Sequence, residues 1–150
     1  MNEKIERVFG EEDTLWSKVY RFDTIPDVCQ WVKNIVKMVT QHIFKKRSEK
    51  NSSIIDSLIN ILEGNYHRQI TINEIAKKVY LSPSYICTLF KESMGESIID
   101  YLTKLRLKHA QRLLADKSLN IYEVAEKTGF NSTSYFSVVF KNAYGISPKN

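Results

Sequence analysis

The chain has 150 residues, 43% hydrophobic and 26% charged, a balance that suits one folded domain or two small ones. Only 5 glycines and 3 prolines are present, too few turn residues for an all-β sandwich of this length, so helices are favoured. The 22 Lys and Arg against 17 Asp and Glu give a net charge of +5, split as 10 against 8 over residues 1–50 and 12 against 9 over residues 51–150, which excludes a basic tail.

Along the chain, short helices are predicted around Asn2–Phe9 and Glu12–Tyr20. Thr24 reads as an N-cap, with Pro26 and Asp27 in the first turn that follows. Val28, Trp31, Val32, Ile35, Val36, Val39 and Ile43 recur at three- and four-residue spacing, one apolar face of a helix. Lys45-Lys46-Arg47 suits its C-terminus, and the polar run Ser48–Ser53 reads as a linker and domain boundary. A helix capped by Ser52 or Ser53 carries Ile54, Ile55, Leu58, Ile61 and Leu62, with Gly64 behind. Thr71 and Glu74 make a capping-box pair opening a short helix, and Ser82-Pro83 caps the next, to about Ser93. Ser97 and Asp100 open a long helix to about Ala115. Asn120 and Glu123 make a second capping-box pair, and a last helix runs from near Ser132 to before Gly145. Ser147-Pro148 reads as a further helix start.

No apolar run approaches the roughly 18 residues of a membrane span. Met1–Gly10 is charged and lacks a signal-peptide core, which fits a cytoplasmic protein. Cys29 and Cys87 are far apart with no His at metal spacing, so neither a disulfide framework nor a zinc module is indicated; two partly buried thiols in a reducing cytosol are expected. His42, His67 and His109 are scattered, with no nucleophile constellation and no phosphate-binding glycine loop. The sequence therefore predicts no enzyme and no cofactor.

An internal repeat decides the predicted fold. Thr71–Ser97 (TINEIAKKVYLSPSYICTLFKESMGES) returns as Asn120–Ser147 (NIYEVAEKTGFNSTSYFSVVFKNAYGIS) at a period of about fifty residues. Thr71 and Glu74 recur as Asn120 and Glu123, Ala76 as Ala125, Phe90-Lys91 as Phe140-Lys141, and Gly95 as Gly145. Each copy is a short helix, a tight turn and a second helix, with Leu81 or Phe130 plugging the turn and Leu89-Phe90 or Val139-Phe140 as the buried face. This is the pattern of a helix-turn-helix, whose second helix enters the DNA major groove. The expected fold is all-α: a first helix-turn-helix at about 71–95, a linker helix at about 97–115 and a second helix-turn-helix at about 120–145. Residues 1–50 precede them as a helical segment. The linker helix, at about 19 residues, spans roughly 28 Å, near the roughly 34 Å of one DNA turn. Its Lys104, Arg106, Lys108 and Arg112 suit either phosphates or plain solvation.

Residues 54–150 resemble the DNA-binding domain of the AraC/XylS family of bacterial transcription regulators. The resemblance rests on GFNSTSYFSVVFKNAYGISP, Gly129 to Pro148, and on LSPSYICTLFKESMG with YLTKLRLKHAQRLL. It implies sequence-specific binding of double-stranded DNA, two recognition helices in successive major grooves, and RNA polymerase as a further partner. Residues 1–50 resemble, more weakly, the helical segment before this domain in two-component response regulators, which implies a piece of a longer regulator. The family continues beyond Asn150 into a last helix, so a truncated or frayed end is expected.

The resemblance places base readers near the start of each recognition helix and one turn later. These are Ser84, Cys87 and Thr88 in the first copy, and Thr133, Ser134, Ser137 and Val138 in the second. Thr88 and Val138 stand where Arg is common in the family, so neither forms a bidentate pair with guanine; Val138 and the Thr88 methyl suit a thymine methyl instead. Ser82, Asn131 and Ser132 at helix starts are expected to meet phosphates. Lys91 and Lys141 fit phosphates or a solvated helix end equally, and Tyr85 and Tyr135 are expected to pack beside the core. The alternative is a helical protein-interaction or dimerisation module without DNA readout. The apolar stripe at 28–43 fits either an intramolecular core or a homodimer contact.

Overall fold

In a computed structural model the described residues are 22, 24–116 and 118–148. The helices expected at Asn2–Phe9 and Glu12–Tyr20 lie outside them. The described residues form six α-helices and no strand: α1 Ile25–Asn65, α2 Ile72–Lys78, α3 Pro83–Met94, α4 Ile98–Leu113, α5 Ile121–Lys127 and α6 Thr133–Tyr144. The chain divides into Met1–Lys50 and Asn51–Asn150.

The predicted linker is not a loop. Residues 48–53 are helical within α1, which has 41 residues. Their polarity does not break the helix, because Glu49 and Lys50 are good helix formers and a Ser or Asn costs only about half a kcal/mol. No proline interrupts the run, and the Ser57 hydroxyl donates back to the Ser53 carbonyl at 2.9 Å. α1 also passes through Gly64 rather than stopping before it.

Within Met1–Lys50, Thr24 caps α1 by accepting from the Asp27 amide at 3.4 Å. Val28, Trp31, Ile35 and Val39 are half-buried and Phe22 lies 5.6 Å from the Trp31 ring. Val32, Val36, Met38, Ile43 and Phe44 are exposed.

Asn51–Asn150 holds two small cores. The first joins Ile55, Leu58 and Leu62 of α1 to Ile70, Ile75, Ala76, Ile86, Leu89, Phe90, Ile98 and Leu102. The second joins Leu107 and Ala110 to Val124, Ala125, Phe130, Phe136 and Phe140. α4 therefore gives its first half to one core and its second half to the other. At 16 residues it spans roughly 24 Å, one turn less than the sequence suggests.

The repeat is real in three dimensions. Both capping boxes close: the Thr71 hydroxyl accepts from the Glu74 amide at 3.2 Å and the Glu74 carboxylate accepts from the Thr71 amide at 2.8 Å. In the second copy the matching distances are 2.9 Å and 2.8 Å for Asn120 and Glu123. α3 and α6 both end on a left-handed glycine, Gly95 and Gly145, each with φ of 75°. Ile86 and Phe136, absent from the core read off the sequence, are fully buried in equivalent places.

Candidate nucleic-acid interface

α3 and α6 each give one face to a core and the opposite face to solvent. In α3, Ile86, Leu89 and Phe90 are buried. Ser84, Cys87, Thr88 and Lys91 are exposed and fall at i, i+3, i+4 and i+7, a single stripe about 160° around the helix from the buried face. In α6, Phe136 and Phe140 are buried. Ser134, Ser137, Val138 and Lys141 repeat the same stripe; Ser137 is half-buried and the other three are exposed. Thr133 is half-buried in the first turn of α6, with Asn131 and Ser132 exposed just ahead of it.

The helix starts differ in what they offer an anion. Ser82 and Ser132 use their hydroxyl oxygens as N-caps, accepting from Tyr85 N at 3.2 Å and Tyr135 N at 3.3 Å. Each hydroxyl hydrogen stays available for donation. Pro83 occupies the first position of α3 and has no N–H, so that turn presents the Ser84 amide. α6 presents the amides of both Thr133 and Ser134.

Four expectations change. Cys29 and Cys87, expected as partly buried thiols, are both exposed, because each falls on the solvent side of its helix. Tyr85 and Tyr135 are not packed; they are 41% and 58% exposed beside the stripes. They sit about 90° and 120° around the helix from the centre of the buried face, at or beyond its edge, where ring size does not decide burial. Arg106 is turned inward. Its Nε donates to the Tyr66 carbonyl and its Nη2 to the Arg68 carbonyl, both at 2.9 Å, and burial pushes its pKa down. Two carbonyls of the Tyr66–Arg68 loop hold two arms of the guanidinium fork. Lys104 pairs with Glu96 at 2.8 Å, a hydrogen bond and a charge that raise its pKa. Of the basic groups on α4, Lys108 and Arg112 remain exposed and face no carboxylate within 4 Å among the described residues.

A sequence profile described as a helix-turn-helix domain matches residues 75–150. The C-terminal domain of AraT, a response regulator from Geobacillus stearothermophilus, is 33% identical with a TM-score of 0.60, over 63% of this chain and 79% of that one. A transcriptional regulator from Chromobacterium violaceum with an AraC-type DNA-binding domain is 27% identical with a TM-score of 0.61, over 67% and 89%. The chain belongs to the AraC-type helix-turn-helix family. The DNA-binding domain of the transcription factor AdpA, solved with a target DNA, is 26% identical with a TM-score of 0.59, over 63% and 85%. The chain spans between 18% and 43% of the curated relatives it matches.

Two turn positions of this AraC-type domain, one exposed and one buried, escape sequence reading. Tyr80, in the turn between α2 and α3, is 94% exposed and has φ of 55°. At the equivalent turn of the second copy stands Gly129, with φ of 80°. The repeat alignment pairs these two positions, and that pairing was the available signal. No helix among the described residues is long and apolar enough to cross a membrane.

Proposed function

We propose that residues 51–150 bind double-stranded DNA sequence-specifically as the reader of a bacterial transcription regulator, with α3 and α6 in successive major grooves. The observation that carries this reading is the pair of matching outward stripes, Ser84–Lys91 and Ser134–Lys141, each on the second helix of a helix-turn-helix. Their side chains are short. Ser84, Cys87, Thr88, Ser134 and Ser137 lack the two-pronged group that pairs bidentately with a base, and exposed Val138 suits a thymine methyl. Direct readout is therefore modest, and phosphate contacts and DNA shape carry more of the specificity. Ser82, Asn131, Ser132, Lys91, Lys141, Lys108 and Arg112 supply the phosphate side. The domain acts in the cytoplasm, where the DNA is, and meets RNA polymerase from the DNA-bound state.

A random-pool binding selection with the full chain, followed by titration of the selected duplex, tests this. Affinity is expected to fall with salt at a log–log slope of several units, from about 4–8 phosphate contacts. A flat salt dependence would leave a protein-interaction module as the better reading, and fixed guanines under either stripe would refute the modest-readout part.

Residues 1–50 pair two copies of the chain. Exposed Val32, Val36 and Ile43 lie on the same face of α1 as half-buried Val28, Trp31, Ile35 and Val39. That pattern suits an interhelical seam, and regulators of this kind read paired sites. Sedimentation of the full chain is expected to show a dimer that Val36→Asp and Ile43→Asp together dissociate.

A further inference from the structure

The two halves of the reader touch through something besides α4. The loop between α1 and α2 belongs to the first half, and the turn between α5 and α6 to the second. Gln69 of that loop donates from Nε2 to the Gly129 carbonyl at 2.7 Å, across 60 residues of sequence. Arg106, midway along α4, donates to Tyr66 and Arg68 of the same loop at 2.9 Å each. Its guanidinium carbon lies 5.8 Å from the centre of the Phe130 ring, which belongs to the second core. Tyr66 also stacks on His109 of α4, with ring centres 3.9 Å apart and planes 11° apart. The loop is thus fixed to α4 on one side and to the second turn on the other.

Gly129 shows how close the approach is. A Cβ built there would overlap the Tyr66 carbonyl oxygen and lie 3.0 Å from Arg106 Nη2. A left-handed residue at this place does not itself demand glycine, because the first copy puts Tyr80 there with φ of 55° and its side chain 94% exposed. Glycine is needed at 129 for the contact between the halves.

We infer that Arg106, Gln69 and Gly129 form a brace that fixes α3 relative to α6 and so sets the spacing between the two DNA segments the chain accepts. They are positioning residues and touch no DNA. The inference rests on the two-reader function proposed above. α4 is a single helix with a core at each end, so without other contacts each half is held to the other only through how it packs on that helix; the brace ties the halves at a second place. Adding one base pair between the half-sites moves one of them by about 3.4 Å and rotates it by roughly 35°. A braced reader cannot follow that change, and an unbraced one can.

The test uses the full chain and duplexes carrying its selected site with one base pair inserted or deleted between the half-sites. The wild-type chain is expected to lose about tenfold or more in affinity on either change, comparable to a base-pair mismatch. Gln69→Ala removes one donor, and Arg106→Lys replaces the two-pronged fork by a single point. Each is expected to cut the spacing penalty to about threefold or less, with an unchanged salt slope. A penalty that survives in both variants overturns the brace, as does a salt slope lower by about one unit in the charge-removing Arg106→Gln, which would make Arg106 a phosphate contact. A wild-type chain indifferent to spacing overturns the two-reader function itself. A DNA-free measurement separates the two failures. Spin labels at Glu92→Cys and Asn142→Cys, with Cys29→Ser and Cys87→Ser, are expected to give a narrow distance distribution that broadens in both variants. An unchanged width in the variants overturns the brace whatever the DNA data show.

Discussion

One methyl group added at Gly129 has nowhere to go. It would overlap the Tyr66 carbonyl oxygen, which is backbone and cannot swing aside. It would also hold an L-residue at φ of 80°, a left-handed conformation costing roughly 1–2 kcal/mol. To relieve the overlap, the loop must withdraw from the turn. That puts at risk the charged hydrogen bond from Arg106 to Tyr66, worth about 1.5–3 kcal/mol, and the neutral one from Gln69 to Gly129, worth about 0.5–1.5 kcal/mol. Gly129→Ala is therefore expected to cost about 3–6 kcal/mol, a large share of a typical domain's roughly 5–15 kcal/mol. The first copy supplies the control. At Tyr80 the left-handed strain is present without the close approach. Tyr80→Gly is expected to stabilise by about 0.5–1 kcal/mol, and Tyr80→Ala to stay near wild type. Urea unfolding followed by circular dichroism, compared at constant m, measures all three. The Ala-minus-Gly difference at 129 must exceed that at 80 by about 2 kcal/mol or more. If the two differences are equal, the turn is not held against the Tyr66 loop and the packing argument fails.

Other outcomes follow from the same geometry. Phe90→Ala and Phe136→Ala, each emptying one core, are expected to cost about 3–5 kcal/mol, read as a drop in urea midpoint. Thr71→Ala and Asn120→Ala remove an N-cap and are expected to cost about 1 kcal/mol each by the same measurement. The Thr71 backbone N–H holds the Glu74 carboxyl below its ordinary 4.5. A carboxyl depressed in the folded state binds its proton more readily when unfolded, so its contribution is present at neutral pH and is lost as pH falls below about 4.5. Glu74→Gln is expected to flatten that part of the acid unfolding profile. Lys91→Ala and Lys141→Ala are each expected to lower the salt slope of DNA binding by about one unit while leaving the selected sequence unchanged; an altered sequence preference would make them base readers.

The fold was legible wherever local chemistry repeats itself. Two capping boxes 49 residues apart, and two left-handed glycines and two pairs of a buried Phe and an exposed Lys 50 residues apart, are each a local rule, and their agreement leaves little room for another architecture. What misled was polarity standing in for structure. Ser48–Ser53 reads as a linker because it is hydrophilic, yet hydrophilic residues without proline extend a solvent-exposed helix well. The reader stripes were legible for the same reason as the cores: at 3.6 residues per turn, Ser84, Cys87, Thr88 and Lys91 fall opposite Ile86 and Phe90 by arithmetic. Tyr85 and Tyr135, at the edge between the two faces, were not settled by that arithmetic.

Arg106 marks the other limit. On a helical wheel it is one of four basic residues on α4, and nothing local separates it from Lys108 or Arg112. Its role depends on the unpaired carbonyls of Tyr66 and Arg68, about forty residues away and in a loop without a motif of its own. A buried carbonyl needs a donor, and a guanidinium supplies several in a fixed fork, so the loop captures the arginine that lies nearest. The one local trace of this contact is a difference between the copies. Where the first has Tyr80, the second has Gly129, though both positions are left-handed, with φ of 55° and 80°. Tyr80 is open to solvent, whereas Gly129 is closed in by the Tyr66 loop and Arg106. The position at which a repeat exchanges a bulky residue for glycine is therefore where contact between its halves is to be sought.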